Sequence, residues 1–99
     1  MANYFIFRCS DKTYGECLRR NLFGQTTNMK DYVKQVKKSD ILFLHNVQKQ
    51  IIEGPFFAKS DGMYNIIPDA WEGKFPQQVQ VETRGKTSKI KKASFDKFG

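Results

Sequence analysis

The sequence predicts an α+β domain, a curved β-sheet or open β-barrel flanked by short helices. Three observations carry this. One strand-like segment opens the chain, two helix-like segments follow, and several strand-like segments come after them. Apolar residues make up 39% and aromatics 14% of the chain, with nine Phe, which suffices for a small core. At 99 residues there is room for one core, and no internal repeat or interdomain linker interrupts the pattern.

The opening stretch "NYFIFRC" is an aromatic and aliphatic run from Tyr4 to Phe7, the pattern of a strand buried on both faces. "SDKTYGECLRRN" reads as a short helix. Ser10, Asp11 or Thr13 is its cap, and Glu16, three residues beyond Thr13, is the capping-box partner. Cys17 and Leu18 face inward, and Gly24 is the expected stop. In "NMKDYVKQVKKSD", Met29, Tyr32, Val33 and Val36 fall at i, i+3, i+4 and i+7, the apolar stripe of an amphipathic helix with its lysines toward solvent. "DILFLHNV" is a second buried strand, "QKQ" a turn and "QIIEGPFFAKS" a third strand. Gly54-Pro55 within that third run argues for a bulge or an edge. "SDGMYNIIPDAWEGKFP" reads as a long irregular loop carrying the only tryptophan, Trp71. "QQVQVET" alternates as a half-buried strand does, with Val79 and Val81 on one face.

The formal net charge is +7, and the last sixteen residues hold +5 of it. A basic chain of this size points to polyanionic partners, nucleic acid before anionic membrane. The expected organisation is a domain over 1–83 and a basic C-terminal tail over 84–99, a candidate start of a further segment of a longer protein. The tail either touches a phosphate backbone or is simply solvated. Cys9 and Cys17 lack the spacing and the histidine partners of a zinc site, so two buried free thiols are expected. No segment reaches the ~18 apolar residues of a membrane span, and "MANYFIFRCS" is no secretory leader. An intracellular location, cytoplasmic or nuclear, is the expectation.

Catalysis requires a nucleophile with a base and an orienting group, or a metal. One histidine, His45, and no motif of paired carboxylates supply neither, and the phosphate-binding glycine patterns are missing. The expectation is a non-catalytic domain without metal or cofactor.

Several segments in order, "FRCSDKTYGECLRRNLFG" and "ILFLHNVQKQIIEGPFFAKSDGMYNIIPDAWEGKFPQQVQV", resemble the DCD (development and cell death) domain, known chiefly from plants. The resemblance covers about residues 4 to 82. The DCD domain is in turn similar to the YTH and EVE domains of the PUA-like group, and YTH domains bind RNA carrying N6-methyladenosine in an aromatic cage. The resemblance implies a reader of RNA or DNA that recognises a modified, N6-methyladenine-like, or flipped base. The alternative it implies is a protein–protein interaction module of the DCD type, exposing an apolar patch around "MYNIIPDAW".

Carried over by motif, one cage aromatic lies in "NLFG", at Phe23, and another in "DAWEGKF", at Trp71. A third cage position falls at Ile66, where an aliphatic residue stands in place of the aromatic of some YTH domains. Polar partners for the base edge are expected from Ser10, Asp11, Thr13, the Gly24 carbonyl, Asn46 and Asn65. Arg8, Arg84, Lys86, Lys89, Lys91 and Lys92 are the candidate phosphate contacts. The physical requirement is general: a base removed from its stack must recover the cost from flat apolar walls and hydrogen bonds to its edge. Each residue also has a plainer reading. Trp71, Phe23 and Ile66 are equally core residues, Ser10 and Asp11 helix caps, Asn46 a turn former and Arg8 a solvated side chain.

Overall fold

The computed structural model describes residues 3–97. In chain order the elements are β1 (Tyr4–Cys9), α1 (Asp11–Arg20), β2 (Leu22–Gln25), α2 (Lys30–Lys34), β3 (Ile41–Asn46), β4 (Ile51–Ala58), β5 (Met63–Tyr64), β6 (Gln77–Glu82), β7 (Ser88–Lys91) and α3 (Lys92–Asp96). Short 3-10 turns at Thr27–Met29 and Ala70–Gly73 lie between them. The result is an α+β domain with one mixed seven-stranded sheet.

The sheet runs β1-β3-β4-β6-β2, with β5 on β6 and β7 on β4. β1 and β3 are parallel, Tyr4 opposite Ile41 through Cys9 opposite Asn46. Their crossover contains both helices that follow β1, as a parallel pair requires. β4 is shared along its second edge: residues 51–54 pair with β7, and Phe57 and Ala58 with β6. Its register against β3 shifts between Leu42 and Leu44, beside Gly54-Pro55 where the sequence suggested a bulge. The terminal strands of this order come back together, because the buried Gln25 amide on β2 donates to the Arg8 carbonyl on β1 at 3.0 Å. That contact makes the sheet a nearly closed, curled layer.

The core lies inside this curl. Phe5, Phe7 and Cys9 alternate inward along β1, while Tyr4 and Arg8 face out, so β1 is buried on one face and not on both. Leu22, Phe23, Leu42, Leu44, Phe56, Val79 and Val81 complete the interior with Val33 and Val36 from the α2 segment. The Met29–Val36 stripe thus packs inward, although only Lys30–Lys34 is α-helical.

Helix α1 starts at one of the expected caps but departs from expectation in its capping-box partner and at its C-terminal end. Its cap is Ser10, and the reciprocal bond comes from the third helical residue: the Ser10 N–H donates to Thr13 Oγ1 at 3.0 Å. Glu16 is left for another task. The helix stops at Asn21, in the left-handed region (φ 51), where Asn is tolerated better than most residues. Gly24 is not a helix stop; it sits within β2.

The long loop contains β5, which pairs with Gln77 and Gln78. The segment 84–97 is not a free tail. β7 pairs with β4 from Ile51–Lys91 to Gly54–Ser88, and α3 lays Phe95 edge-on against Phe43, ring centroids 5.4 Å apart. The alternation of Ile90 among lysines was the available signal. High charge hid it, because one apolar residue in a basic run is a weak strand pattern. Among the described residues no helix is long and apolar enough to cross a membrane.

Candidate functional site

A cavity of about 380 Å³ opens where β1 and β2 end beside α1. Arg8, Cys9 and Ser10 come from the end of β1 and the start of α1. Gly24, Gln25 and Thr26 come from the end of β2. Thr13 and Cys17 descend from α1, Asn28 and Met29 from the 3-10 turn, and Val47 from the end of β3. Trp71 and Phe75 close it from the long loop.

Trp71 is held from several sides. Its backbone and that of Glu72 both lie in the left-handed region, φ 49 and 57. That conformation costs roughly 1–2 kcal/mol per non-glycine residue, and such strain persists only where the surroundings over-determine it. Here the Trp71 N–H donates to Glu16 Oε2 at 2.8 Å, and the indole Nε1–H donates to the Thr13 carbonyl at 3.3 Å. The Phe75 ring meets the indole edge-on at 5.8 Å. Gly24 makes the approach possible, since a Cβ there would lie 2.5 Å from the indole Cζ3. The Trp71 N–H, with help from the Arg20 guanidinium 2.8 Å away, holds the Glu16 carboxyl below the usual carboxylate range.

The loop bearing Trp71 is fixed to the sheet by Gln78, which is 1% exposed. Its carbonyl accepts from the Ile67 N–H at 2.8 Å. Its amide donates to the Ile67 and Phe75 carbonyls at 3.1 and 3.0 Å. The sequence pattern hides Gln78, because a glutamine in an alternating strand reads as solvent-facing.

Of the expected base-pocket residues, the structure brings Ser10, Thr13, Gly24 and Trp71 together, with Arg8 from the phosphate set. The others stand elsewhere. Phe23 is fully buried and packs on Phe56 (4.9 Å) and Phe7 (6.0 Å) in the core. The reason is strand alternation: Gly24 faces the indole, so its neighbour Phe23 points to the opposite side. No open gap faces Phe23 on one side and Trp71 on the other. Ile66 packs against the core and does not line the cavity. Asn65 adopts φ 58 in the loop, its N–H donating to the Pro76 carbonyl at 2.7 Å. Asn46 closes the β3–β4 turn by accepting from the Gln48 and Lys49 amides, and its own amide donates to Asp11 at 2.9 Å. Asp11 is thereby engaged outside the cavity, with Lys49 3.7 Å away.

The basic residues divide similarly. Arg84 lies 3.2 Å from Glu82 and over the Phe57 ring, and Lys92 lies 2.7 Å from Asp96. Lys86 is exposed in the β6–β7 connection, and Lys89 and Lys91 project from β7. Lys89 borders a smaller cleft with Tyr14, Asn46, Lys49 and Glu53. Asn46 lines that cleft and its neighbour Val47 the main cavity. In the cleft the Tyr14 hydroxyl donates to the buried Glu53 at 2.6 Å, and burial together with that carboxylate pushes its pKa up. Cys9, Cys17, Gln25, Thr26, Asn28, Met29, Val47 and Phe75 were not foreseen as cavity residues, because only the fold brings these separate segments to one opening.

Comparisons with known proteins agree on the family. The chain is 38% identical over 98 residues to the DCD domain-containing protein NRP-B of Glycine max, covering 92% of this chain and 30% of that protein. It is 38% identical over 98 residues to the B2 protein of Daucus carota, with 92% and 47% covered. Against the DCD domain-containing protein NRP of Arabidopsis thaliana the identity is 34%, with 92% and 28% covered. The chain spans less than half the length of these relatives. Among solved structures it is similar to the crystal structure of the Mmi1 YTH domain, with TM-score 0.71 and 15% identity over 98% of this chain and 68% of that one. It is also similar to YTH domain-containing protein mmi1 in a complex with RNA, with TM-score 0.70 and 15% identity over 98% and 63%. At this identity the likeness is one of fold. A family model described as the development and cell death domain matches residues 3–98, and the chain belongs to that family.

Proposed function

We propose that the chain binds a single nucleic-acid strand, RNA in the first instance, and holds one base in the cavity beside Trp71. The observation that carries this is the cavity itself: an indole fixed in a strained backbone, with short polar side chains around it and Arg8 at its mouth. Its volume of about 380 Å³ falls within the range of small-ligand sites. Trp71 and Phe75 offer apolar ring surface, and Ser10, Thr13, Gln25, Thr26 and Asn28 offer donors and acceptors for a base edge. Met29, Val47 and the two thiols supply apolar lining suited to an N-methyl group, whose burial adds about 1 kcal/mol. The complex of a YTH protein of this fold with RNA supports the same reading. Arg8 lines the cavity, Lys49 and Lys89 line the smaller cleft, and these are the phosphate contacts of the proposal, joined by the exposed Lys86 and Lys91.

The test is titration of labelled single-stranded and duplex oligonucleotides, RNA and DNA, with and without N6-methyladenine. Binding tighter than ~100 μM at low salt is expected, since non-specific binders reach that range. Trp71→Ala should weaken binding by ~1–3 kcal/mol, with Trp71→Phe retaining part of it. Because Trp71 is largely buried, circular dichroism of each variant separates lost stacking from lost folding. Equal affinity of a folded Trp71→Ala variant would reject the cavity as the base site. A protein-docking role has its own observation: Met63 and Tyr64, 51% and 65% exposed, form an apolar edge on β5. Absence of oligonucleotide binding in every arm would favour it.

A further inference from the structure

We propose that Cys9 and Cys17 form an oxidisable dithiol in the cavity wall, whose disulfide reshapes the pocket beside Trp71. Both thiols line the same cavity, one at the end of β1 and the other on the inward face of α1. Both are free and buried, so the cavity is their route to a small oxidant. The two thiols lie close enough in that wall to influence each other's titration. The neighbouring Cys17 lowers the pKa of Cys9, while Cys9 together with burial raises that of Cys17. Cys9 is therefore the sulfur that reacts first and Cys17 the one that resolves.

With hydrogen peroxide as the oxidant the chemistry balances. The Cys9 thiolate attacks one peroxide oxygen, the O–O bond breaks, and hydroxide leaves with the electron pair and takes up a proton as water. Cys9 is then a sulfenic acid. The Cys17 sulfur attacks it, an S–S bond forms, and the sulfenic oxygen departs as a second water carrying the Cys17 proton. Two thiols are oxidised by two electrons and one peroxide is reduced.

Forming the bond draws the two sulfurs to about 2.05 Å. The pull acts between the end of β1 and α1, and α1 carries both anchors of the tryptophan, the Thr13 carbonyl and Glu16. Oxidation thus moves the wall that faces a bound base. This last consequence rests on the RNA reading above; the dithiol and the movement of the indole do not.

The experiment treats the chain with hydrogen peroxide, quenches it, alkylates it, and reads intact mass together with Trp71 fluorescence. The expected result is a loss of two hydrogens within one chain, both cysteines resistant to alkylation, and a changed Trp71 emission, all reversed by dithiothreitol. Cys17→Ser should stop at a Cys9 sulfenic acid captured by dimedone, and Cys9→Ser should leave Cys17 alkylatable. Two cysteines that stay alkylatable, or that pair only between chains, overturn the proposal. An intramolecular disulfide with unaltered Trp71 emission overturns the reshaping. For oligonucleotides, the oxidised chain should bind about fivefold or more weakly, the lower end of ordinary coupling between a switch and a site. If the reduced chain binds no oligonucleotide while disulfide and fluorescence behave as expected, the RNA reading fails and the dithiol stands.

Discussion

At Gly24 the Trp71 ring and the Phe75 carbonyl approach within 2.5 and 2.9 Å of where a Cβ would stand. The small residue is required by this approach, since the indole cannot retreat without breaking its bond to Thr13, nor the Phe75 carbonyl without losing its bond from Gln78. Gly24→Ala should therefore cost roughly 1–3 kcal/mol through overpacking. The cost would show as a lower urea midpoint at unchanged slope, and a wild-type midpoint would mean that the Trp71 wall yields freely. Glu16 gives a second test at this scale. Its folded pKa lies below the ordinary 4.5, so its contribution is fully present above about pH 4.5 and is lost as pH falls through the lower folded value. Trp71 emission followed from pH 7 downward should report release of the loop in that acid window. Glu16→Gln keeps an acceptor but removes the charge, so its acid transition should flatten. An unchanged transition would place the titrating group elsewhere.

The elements are more legible in the sequence than the packing between them. Apolar runs locate β1, β3 and β4, alternation locates β6, and the Met29–Val36 stripe locates the apolar side of the α2 segment, because such runs and repeats are local properties. The end of α1 at Asn21 escapes such reading, since only the fold shows which residue takes the left-handed turn. The same limit applies to the site. Trp71 and Gly24 do reach the cavity, but a motif assigns Phe23 to it as well, and alternation along β2 sends that ring into the core. Gln78 is invisible for the opposite reason: a polar residue in a strand signals solvent, whereas here it holds the Trp71 loop to β6. Gln78→Leu should leave the Ile67 amide and the Phe75 carbonyl without their Gln78 partner and cost ~1–3 kcal/mol. Hydrogen exchange is the measurement that localises the effect. Amides of residues 65–76 should exchange faster while those of the β1–β3 pair keep their protection. Uniform loss of protection across the sheet would contradict a loop-specific role.

For the molecule as a whole, the last sixteen residues hold most of the positive charge, and the fold decides where that charge is presented. Pairing of β7 with β4 displays Lys89 and Lys91 from a rigid strand, whereas a loose tail would spread them over many positions. Arg84 and Lys92 face Glu82 and Asp96, so part of the formal charge is already matched within the chain. In the proposed complex, such fixed cations would set register through phosphate contacts while the cavity holds the base. If Arg8, Lys49, Lys86, Lys89 and Lys91 neutralise four or five phosphates of a single strand, the logarithm of affinity should fall against the logarithm of salt with a slope of about −3. Replacing Lys89 and Lys91 together by glutamine should make the slope shallower by about 0.7 for each phosphate left without its lysine. The same double variant should weaken methylated and unmethylated oligonucleotides alike, because backbone contacts carry no base information. Trp71→Ala should do the reverse, lowering affinity while leaving the slope in place. Titrations of the three proteins across a range of salt separate these patterns. A slope that Lys89→Gln and Lys91→Gln leave untouched would mean that the strand runs along another face of the domain.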